Sequence, residues 1–344
     1  MTAERMTGLS LELSSRCQLD CPLCVRHAIS PEFPRLAMPA AVLDAVLPYL
    51  PPLEALDLTG WGEPLLHPQF PEFLARIRRA FAGRLSFTTN GLLFRRELIE
   101  AVVDQGVDVI CFSLDAAAAE TYARVRPGAD FGRLLSNLRE LIAFRRSRHV
   151  ERPQLFALFL LRRDALEELP AFVRLAQALG LNGILFQQLT GVFTDAHLAR
   201  ITYTDYYPSD FDPARLEQSL AQARAEAKPG FVVAGPDRIH RSRLRGCGGF
   251  DMHQPFLSAQ GEVSVCCSKA YPIALMRRSG QPRLTPPLSF GNVTREPLPL
   301  IWQKPEYREL RRQVLAGEFP EACADCIGLY VEPAASGQDL AEKG

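Results

Sequence analysis

Residues 9–24 read LSLELSSRCQLDCPLC: leucines alternate with polar residues, and three cysteines then follow in the spacing CxxxCxxC. The alternation has the period of a β-strand that buries one face, so all three thiols fall in the loop at the strand's carboxyl end. Further along, ALDLT (55–59), LSFTT (85–89), VDVICFSL (107–114), LFALFLL (155–161) and GILFQQL (183–189) read as strands too. Helical periodicity falls near 39–50, 68–82, 94–105, 132–147, 165–180 and 213–228, and several of these stretches open with proline, whose missing N–H costs nothing in a first turn. Six strand–helix repeats predict the α/β class with a parallel sheet, either curled into a partial barrel or left open. In both forms chemistry belongs at the carboxyl ends of the strands. TGWGEP (59–64), TTNG (88–91) and SLD (113–115) end the second, third and fourth strands as the cysteine loop ends the first, so four distant loops are expected on one face.

The chain has 344 residues, enough for one large domain with an appendage. Its 39 lysines and arginines equal its 39 aspartates and glutamates, so no overall basic field favours nucleic acid or an anionic membrane. Arginine pairs such as Arg78-Arg79, Arg95-Arg96 and Arg311-Arg312 read as solvated helix faces. The start, MTAERMTGLSLEL, lacks the basic and apolar regions of a secretion signal, and no run approaches the ~20 apolar residues of a membrane span. A cytoplasmic location is therefore expected. There the nine cysteines stay reduced, and their clustering points to metal.

The pattern changes near residue 229. Residues 243–270 contain a hairpin turning at Gln260-Gly261, PLPLIWQKPEYRELRRQVLAG (297–317) reads as one amphipathic helix ending at Gly317, and CADC (323–326) follows. The expected division is a barrel over 1–228, a small domain over 229–332 and a frayed tail over 333–344. Three thiolates suit a [4Fe–4S] cluster with one iron left open, whereas a closed zinc site needs a fourth ligand, for which His27 is near enough in sequence. Cys247, Cys266, Cys267, Cys323 and Cys326 form a second group, and spacing alone does not separate zinc from iron–sulfur there.

With these motifs the sequence resembles the radical S-adenosylmethionine (SAM) superfamily, with a C-terminal SPASM/twitch-type domain. The resemblance implies a partial (β/α)6 TIM-like barrel with a small twitch-like iron–sulfur domain. It implies a [4Fe–4S] cluster on Cys17, Cys21 and Cys24, with SAM chelating the open iron. GWGEP looks like the family's Gly-Gly-Glu-Pro element, so Gly60, Gly62 and Glu63 are expected to receive the amino group of SAM, although Trp61 replaces the usual second glycine. Leu23 matches the position against the adenine, and Asn90, Ser113, Asp115 and Arg126 match positions near the methionine and ribose. Taken alone, Asn90-Gly91 is also a turn, and Ser113 with Asp115 a helix cap. By the strand period Cys111 faces the barrel interior with Ser113 and Asp115, opposite Ile110, Phe112 and Leu114.

The resemblance also implies a second, auxiliary [4Fe–4S] cluster on Cys247, Cys266, Cys323 and Cys326, with Cys267 as the alternative to Cys266. No cysteine follows Cys326, so one auxiliary cluster is expected, as an electron relay or as a staple for a small domain. The chemistry implied is reductive cleavage of SAM to a 5′-deoxyadenosyl radical that removes hydrogen from a substrate, with the electron coming from a partner such as flavodoxin or ferredoxin. Net oxidation of a small molecule is the leading expectation. The first strand begins near residue 9 and leaves no room for a ~80-residue peptide-recognition domain, but a ribosomally made peptide is the rival substrate. A non-catalytic iron–sulfur or zinc module is the alternative from another class. Gln187, Gln188, Tyr203 and His253 are candidates for lining a substrate cavity, and no residue stands out as an acid or base.

Overall fold

The computed structural model describes residues 5–33, 35–324 and 326–334. β1 (Gly8–Leu11) leads to α1 (Ala40–Val46), β2 (Ala55–Asp57) to α2 (Phe70–Ala80) and β3 (Arg84–Thr89) to α3 (Arg96–Asp104). β4 (Val109–Ser113) is followed by α4 (Ala119–Val125), which the sequence reading missed, and by α5 (Phe131–Ser147). β5 (Gln154–Leu160) leads to α6 (Leu169–Leu179), and β6 (Gly183–Gln187) to the short α7 (Asp195–Leu198) and to α8 (Pro213–Ala225). The rest of the chain supplies β7 (Val232–Ala234), β8 (Arg238–Ile239), β9 (Phe256–Leu257), β10 (Val263–Ser264), β11 (Ile273–Met276), β12 (Pro282–Thr285), α9 (Leu298–Trp302), α10 (Pro305–Ala316) and β13 (Val331–Glu332).

The helices cover the sheet through apolar stripes at three- and four-residue spacing. α2 buries Phe70, Phe73, Leu74 and Ile77, and α6 buries Leu169, Phe172, Val173 and Ala176. Both carry proline in the first turn, and α6 stops at Gly180, whose φ of 84° suits a residue without a Cβ. Strand β3 alternates between half-buried and buried residues, whereas the central β5 is buried over five consecutive positions. Ile110, Phe112 and Leu114 are fully buried in the same core, as the period of two requires.

β1 to β7 run parallel in sequence order, and the other edge is extended by β9, parallel to β1, and then by β10, antiparallel to β9. The edges, β10 and β7, are not paired with one another, so the barrel is partial and open. The sheet therefore runs past the expected boundary at residue 228: β7, β9 and β10 all belong to it. Smaller ladders join β11 to β12 and β13 to β8. Among the described residues no helix is long and apolar enough to cross a membrane.

Two local expectations are corrected. The single helix expected over 297–317 is two, α9 and α10, because Pro305 has no N–H to donate and holds Lys304 extended at ψ 136°. The end at Gly317, with φ 78°, is as expected. The hairpin does turn at Gly261, but β10 stops at Ser264, and Cys266 is an extended residue capping the 3-10 turn Cys267–Lys269. The tail from residue 335 onward lies outside the described residues.

At the amino ends of the strands one carboxylate organises several loops. Asp108 Oδ2 accepts from the Leu85 N–H at 2.8 Å and from Arg78 Nη2 at 2.5 Å, while Arg152 Nη1 lies 2.5 Å from Oδ1. Arg78 also donates to the carbonyls of Gly83 and Gly106. Replacing Asp108 by alanine strands a largely buried guanidinium and an amide, a loss of about 3 kcal/mol. Thermal unfolding of Asp108→Ala should therefore shift well below wild type. Glu54→Ala, which breaks the exposed pair with Arg5, should change stability by less than about 1 kcal/mol.

Candidate active site

A cavity of about 220 Å³ opens at the carboxyl ends of the first strands, and Cys17, Cys21 and Cys24 all border it. The loop carrying them is fixed from below by the 60–63 turn. The Glu63 N–H donates to the Arg16 carbonyl at 2.7 Å. A Cβ on Gly62 would stand 2.2 Å from the Ser14 carbonyl oxygen and 2.4 Å from that of Arg16. One on Gly60 would stand 2.1 Å from Glu12 Cγ, so both glycines are needed for close approach. His27, the alternative fourth ligand, does not border the cavity; its Nε2 lies 3.1 Å from the Cys21 carbonyl and 3.3 Å from Asp20.

Leu23, Gly60, Gly62, Glu63, Asn90, Ser113, Asp115 and Arg126 border the same cavity, so the structure brings every residue expected around SAM to one place. Glu63, 2 % exposed, accepts from Thr89 Oγ1 at 2.7 Å and from the N–H groups of Asn90 and Leu65. Burial raises its carboxyl above the usual range, with these donors working against the rise. Asp115 follows β4 with φ 58°, a left-handed conformation that costs about 1 kcal/mol outside glycine. Its carboxylate offsets that cost: Oδ1 accepts from the Leu160 N–H at 2.7 Å, and Oδ2 accepts from Arg126 Nε and Nη2 at 3.1 and 2.5 Å. Burial works against the Arg126 charge, but Asp115 and Cys21 more than offset it, and Arg126 Nη1 lies 3.9 Å from Cys21 Sγ. Burial likewise pushes the Cys21 thiol up to about 11, with Arg126 opposing.

Two residues, Arg26 at this cavity and Gln18 behind its lining residue Asn90, were not foreseen. Gln18 Nε2 donates to Asn90 Oδ1 at 3.0 Å, fixing the amide orientation. Arg26 is 8 % exposed; its Nη1 donates to the Leu19 carbonyl, and its buried Nε has no hydrogen-bond partner. Both lie within the cysteine segment, the one signal available. Cys111 does not border the cavity. It faces Asp57 deeper in the barrel, and burial pushes its thiol up to about 12.

The sulfurs of the second group are near enough to influence one another, although among the described residues no three His, Cys, Asp or Glu side chains already stand as a metal site. The Cys266 thiol is raised by burial and then by the sulfurs of Cys267, Cys326, Cys247 and Cys323. Cys267 has different neighbours: beyond burial and Ser268, its thiol responds to Glu12 and Asp57. Gly328 packs where a Cβ would come within 3.1 Å of Cys247 Sγ and 3.6 Å of Cys326 Sγ, and Gly248 N–H donates to the Gly328 carbonyl at 3.0 Å. The bare backbone leaves the space beside these sulfurs open.

A second cavity, about 320 Å³, lies between the two thiol groups. It shares Trp61 and Leu160 with the first and reaches Cys326 on its far side. Gln187 and Gln188 border it, as expected. Tyr203 and His253 do not: Tyr203 is buried with its hydroxyl on the Leu189 carbonyl, and His253 pairs with Asp251. Tyr207, Asp237, Lys269 and Arg277 border the cavity instead. Trp61 also explains the departure from a double glycine, because its Nε1–H donates to the Cys267 carbonyl at 3.1 Å while its backbone N–H donates to Glu12.

Residues 11–152 match the model of the radical SAM superfamily, and residues 247–327 match that of the SPASM iron–sulfur cluster-binding domain. The chain is a radical SAM enzyme with a SPASM domain. It is 24 % identical, over 93 % of its length and 87 % of the relative's, to the tungsten-containing aldehyde ferredoxin oxidoreductase cofactor-modifying protein of Pyrococcus furiosus. It is 25 % identical to the PqqA peptide cyclase of Gluconobacter oxydans, over 93 % and 82 % of the two chains. In fold it is similar to Streptococcus suis SuiB crystallised with the precursor peptide SuiA, with a TM-score of 0.64 at 14 % identity over 95 % of this chain and 71 % of that one.

A SAM-binding [4Fe–4S] cluster, SAM and auxiliary iron–sulfur ligation come with these two domains. The residues present fit them: three thiols around one cavity, an unpartnered buried Arg26 Nε at its wall, and a further group of thiols beside bare glycine backbone. Gly62→Ala in this radical SAM enzyme should push the first cysteine loop off its support, so reconstituted protein should lose about four irons per chain. Cys266→Ser should lose auxiliary-cluster iron and Cys267→Ser should keep it; iron and sulfide analysis with the electron paramagnetic resonance spectrum of the reduced protein distinguishes them.

Proposed function

We propose that this enzyme removes a hydrogen atom from a small molecule held between the two cysteine sites, in a net oxidation assisted by one auxiliary cluster. The observation that carries the reading is the second cavity, which touches the SAM-side cavity through Trp61 and Leu160 and the auxiliary side through Cys326. Its volume, about 320 Å³, lies at the small end for ligand pockets. When bound, the first cluster and SAM supply a one-electron reduction and a radical able to take hydrogen, and the auxiliary cluster supplies an electron acceptor.

The chain's own residues hold and orient. In this reading Cys17, Cys21 and Cys24 ligate the first cluster, and Cys247, Cys266, Cys323 and Cys326 the auxiliary one. Gly60, Gly62 and Glu63 take the amino group of SAM, Leu23 lies against the adenine, and Asn90, Ser113, Asp115 and Arg126 position the methionine and ribose. Gln187 and Gln188 offer amides to the substrate. Asp237, whose carboxyl burial raises, borders the cavity and is the group we assign to accept the proton that an oxidation releases. A flavodoxin- or ferredoxin-like donor would supply electrons.

A second reading, a peptide substrate, is favoured by one feature. A further cavity of about 300 Å³ shares Lys269, Arg277 and Thr285 with the second, giving room beyond a single small molecule. The PqqA peptide cyclase relative and the SuiB fold accord with it.

Anaerobically reconstituted protein with dithionite should release 5′-deoxyadenosine from SAM, and Cys21→Ala prepared identically should release none above background. Equal release by both, or none from wild type with its full iron complement, would sink the proposal.

A further inference from the structure

Lys269 is 4 % exposed, among the most buried cations of the chain. Its backbone is held in the turn after Cys266: its N–H donates to the Cys266 carbonyl at 3.1 Å, and its carbonyl accepts from Leu288 at 2.7 Å. Its side chain borders both the second cavity and the adjoining one, and no carboxylate among the described residues pairs with it. Arg277 borders the same two cavities, held by Nη2 donating to Thr285 Oγ1 at 2.6 Å, and Arg283 borders the adjoining one. Of the carboxylates at these walls, Asp237 accepts from the Ala334 N–H, and Glu321 lies in the adjoining cavity.

The Lys269 side chain is buried as a whole, but its ammonium is not one of the sealed polar atoms that lack a partner, so it stays open to the two cavities it borders. The sulfurs lie in the same environment, and Lys269 lowers the Cys323 thiol against its burial. Two cations facing one pair of cavities nevertheless make a site ready for a negative group.

We propose that Lys269, with Arg277, binds the anionic group, carboxylate or phosphate, of the substrate in this cavity. This rests on the reading that the cavity between the two cysteine sites receives the substrate. The substrate class is thereby narrowed to oxyanion-bearing molecules, whose negative end points toward the β11–β12 hairpin.

The test is calorimetric titration of anaerobically reconstituted holoenzyme with phenyl phosphate, benzoate and the neutral benzamide. Wild type should bind one or both anions more tightly than benzamide, and the preferred anion identifies the group. Lys269→Met should weaken anion binding by about 30-fold or more, with benzamide unchanged. Because Lys269 follows the cysteines closely, iron content is measured on each variant, and Arg277→Met, outside that turn, should also weaken anions selectively. Benzamide binding as tightly as the anions, no anion binding at millimolar concentration, or unchanged anion affinity in both variants would overturn the proposal. The last result would leave Lys269 as a charge balance for the sulfurs alone. SAM cleavage by wild type is a separate measurement, so failure of the function and failure of the anion site are told apart.

Discussion

One buried carboxylate sets the relation between the two halves of the molecule. Glu12, at the end of β1 and 0 % exposed, accepts from the Trp61 N–H at 2.9 Å on Oε1, and from the Ala259 N–H at 3.2 Å and the Tyr271 hydroxyl on Oε2. Burying a carboxylate costs several kcal/mol, and burial does raise its pKa, but three donors repay most of that. The partners come from the turn that supports the first cysteine loop, from the turn between β9 and β10, and from the segment after Cys267. The two thiol groups are thus located from the same atoms.

Trp61 extends that arrangement. At this position the turn needs only a backbone N–H, which Glu12 accepts, so the side chain is free for another use. The indole lies between the two cavities and ties the auxiliary side to the SAM side through the Cys267 carbonyl. A glycine here would keep the turn and lose the wall.

Much of this was legible in the sequence, for stated physical reasons. Strands packed under helices read as alternating or nearly continuous apolar runs, so all six were found within a few residues, and the cysteine and glycine motifs sit on the loops that parallel topology gathers. What escaped depends on contacts across space. Nothing local in LSLEL told that Glu12 is buried or that three distant segments donate to it. Tyr203 and His253 looked like cavity residues because they are polar and lie in the right segments; their hydroxyl and ring are occupied by Leu189 and Asp251. Lys269, beside two cysteines, carried no pattern at all. The break at Pro305 was legible and was read over, since the amphipathic period continues through it.

The wall between the cavities also lets their charges differ. SAM carries a cationic sulfonium, and the first cavity presents Glu63 and Asp115 among its buried polar groups, with Arg126 paired to Asp115 and Arg26 at its wall held by the Leu19 carbonyl. The neighbouring cavity presents Lys269 and Arg277 with one carboxyl, Asp237. Had these cations shared one water-filled space with the sulfonium, like-charge repulsion would weaken cofactor binding. The apolar surfaces of Trp61 and Leu160, which border both cavities, lie where the two environments meet.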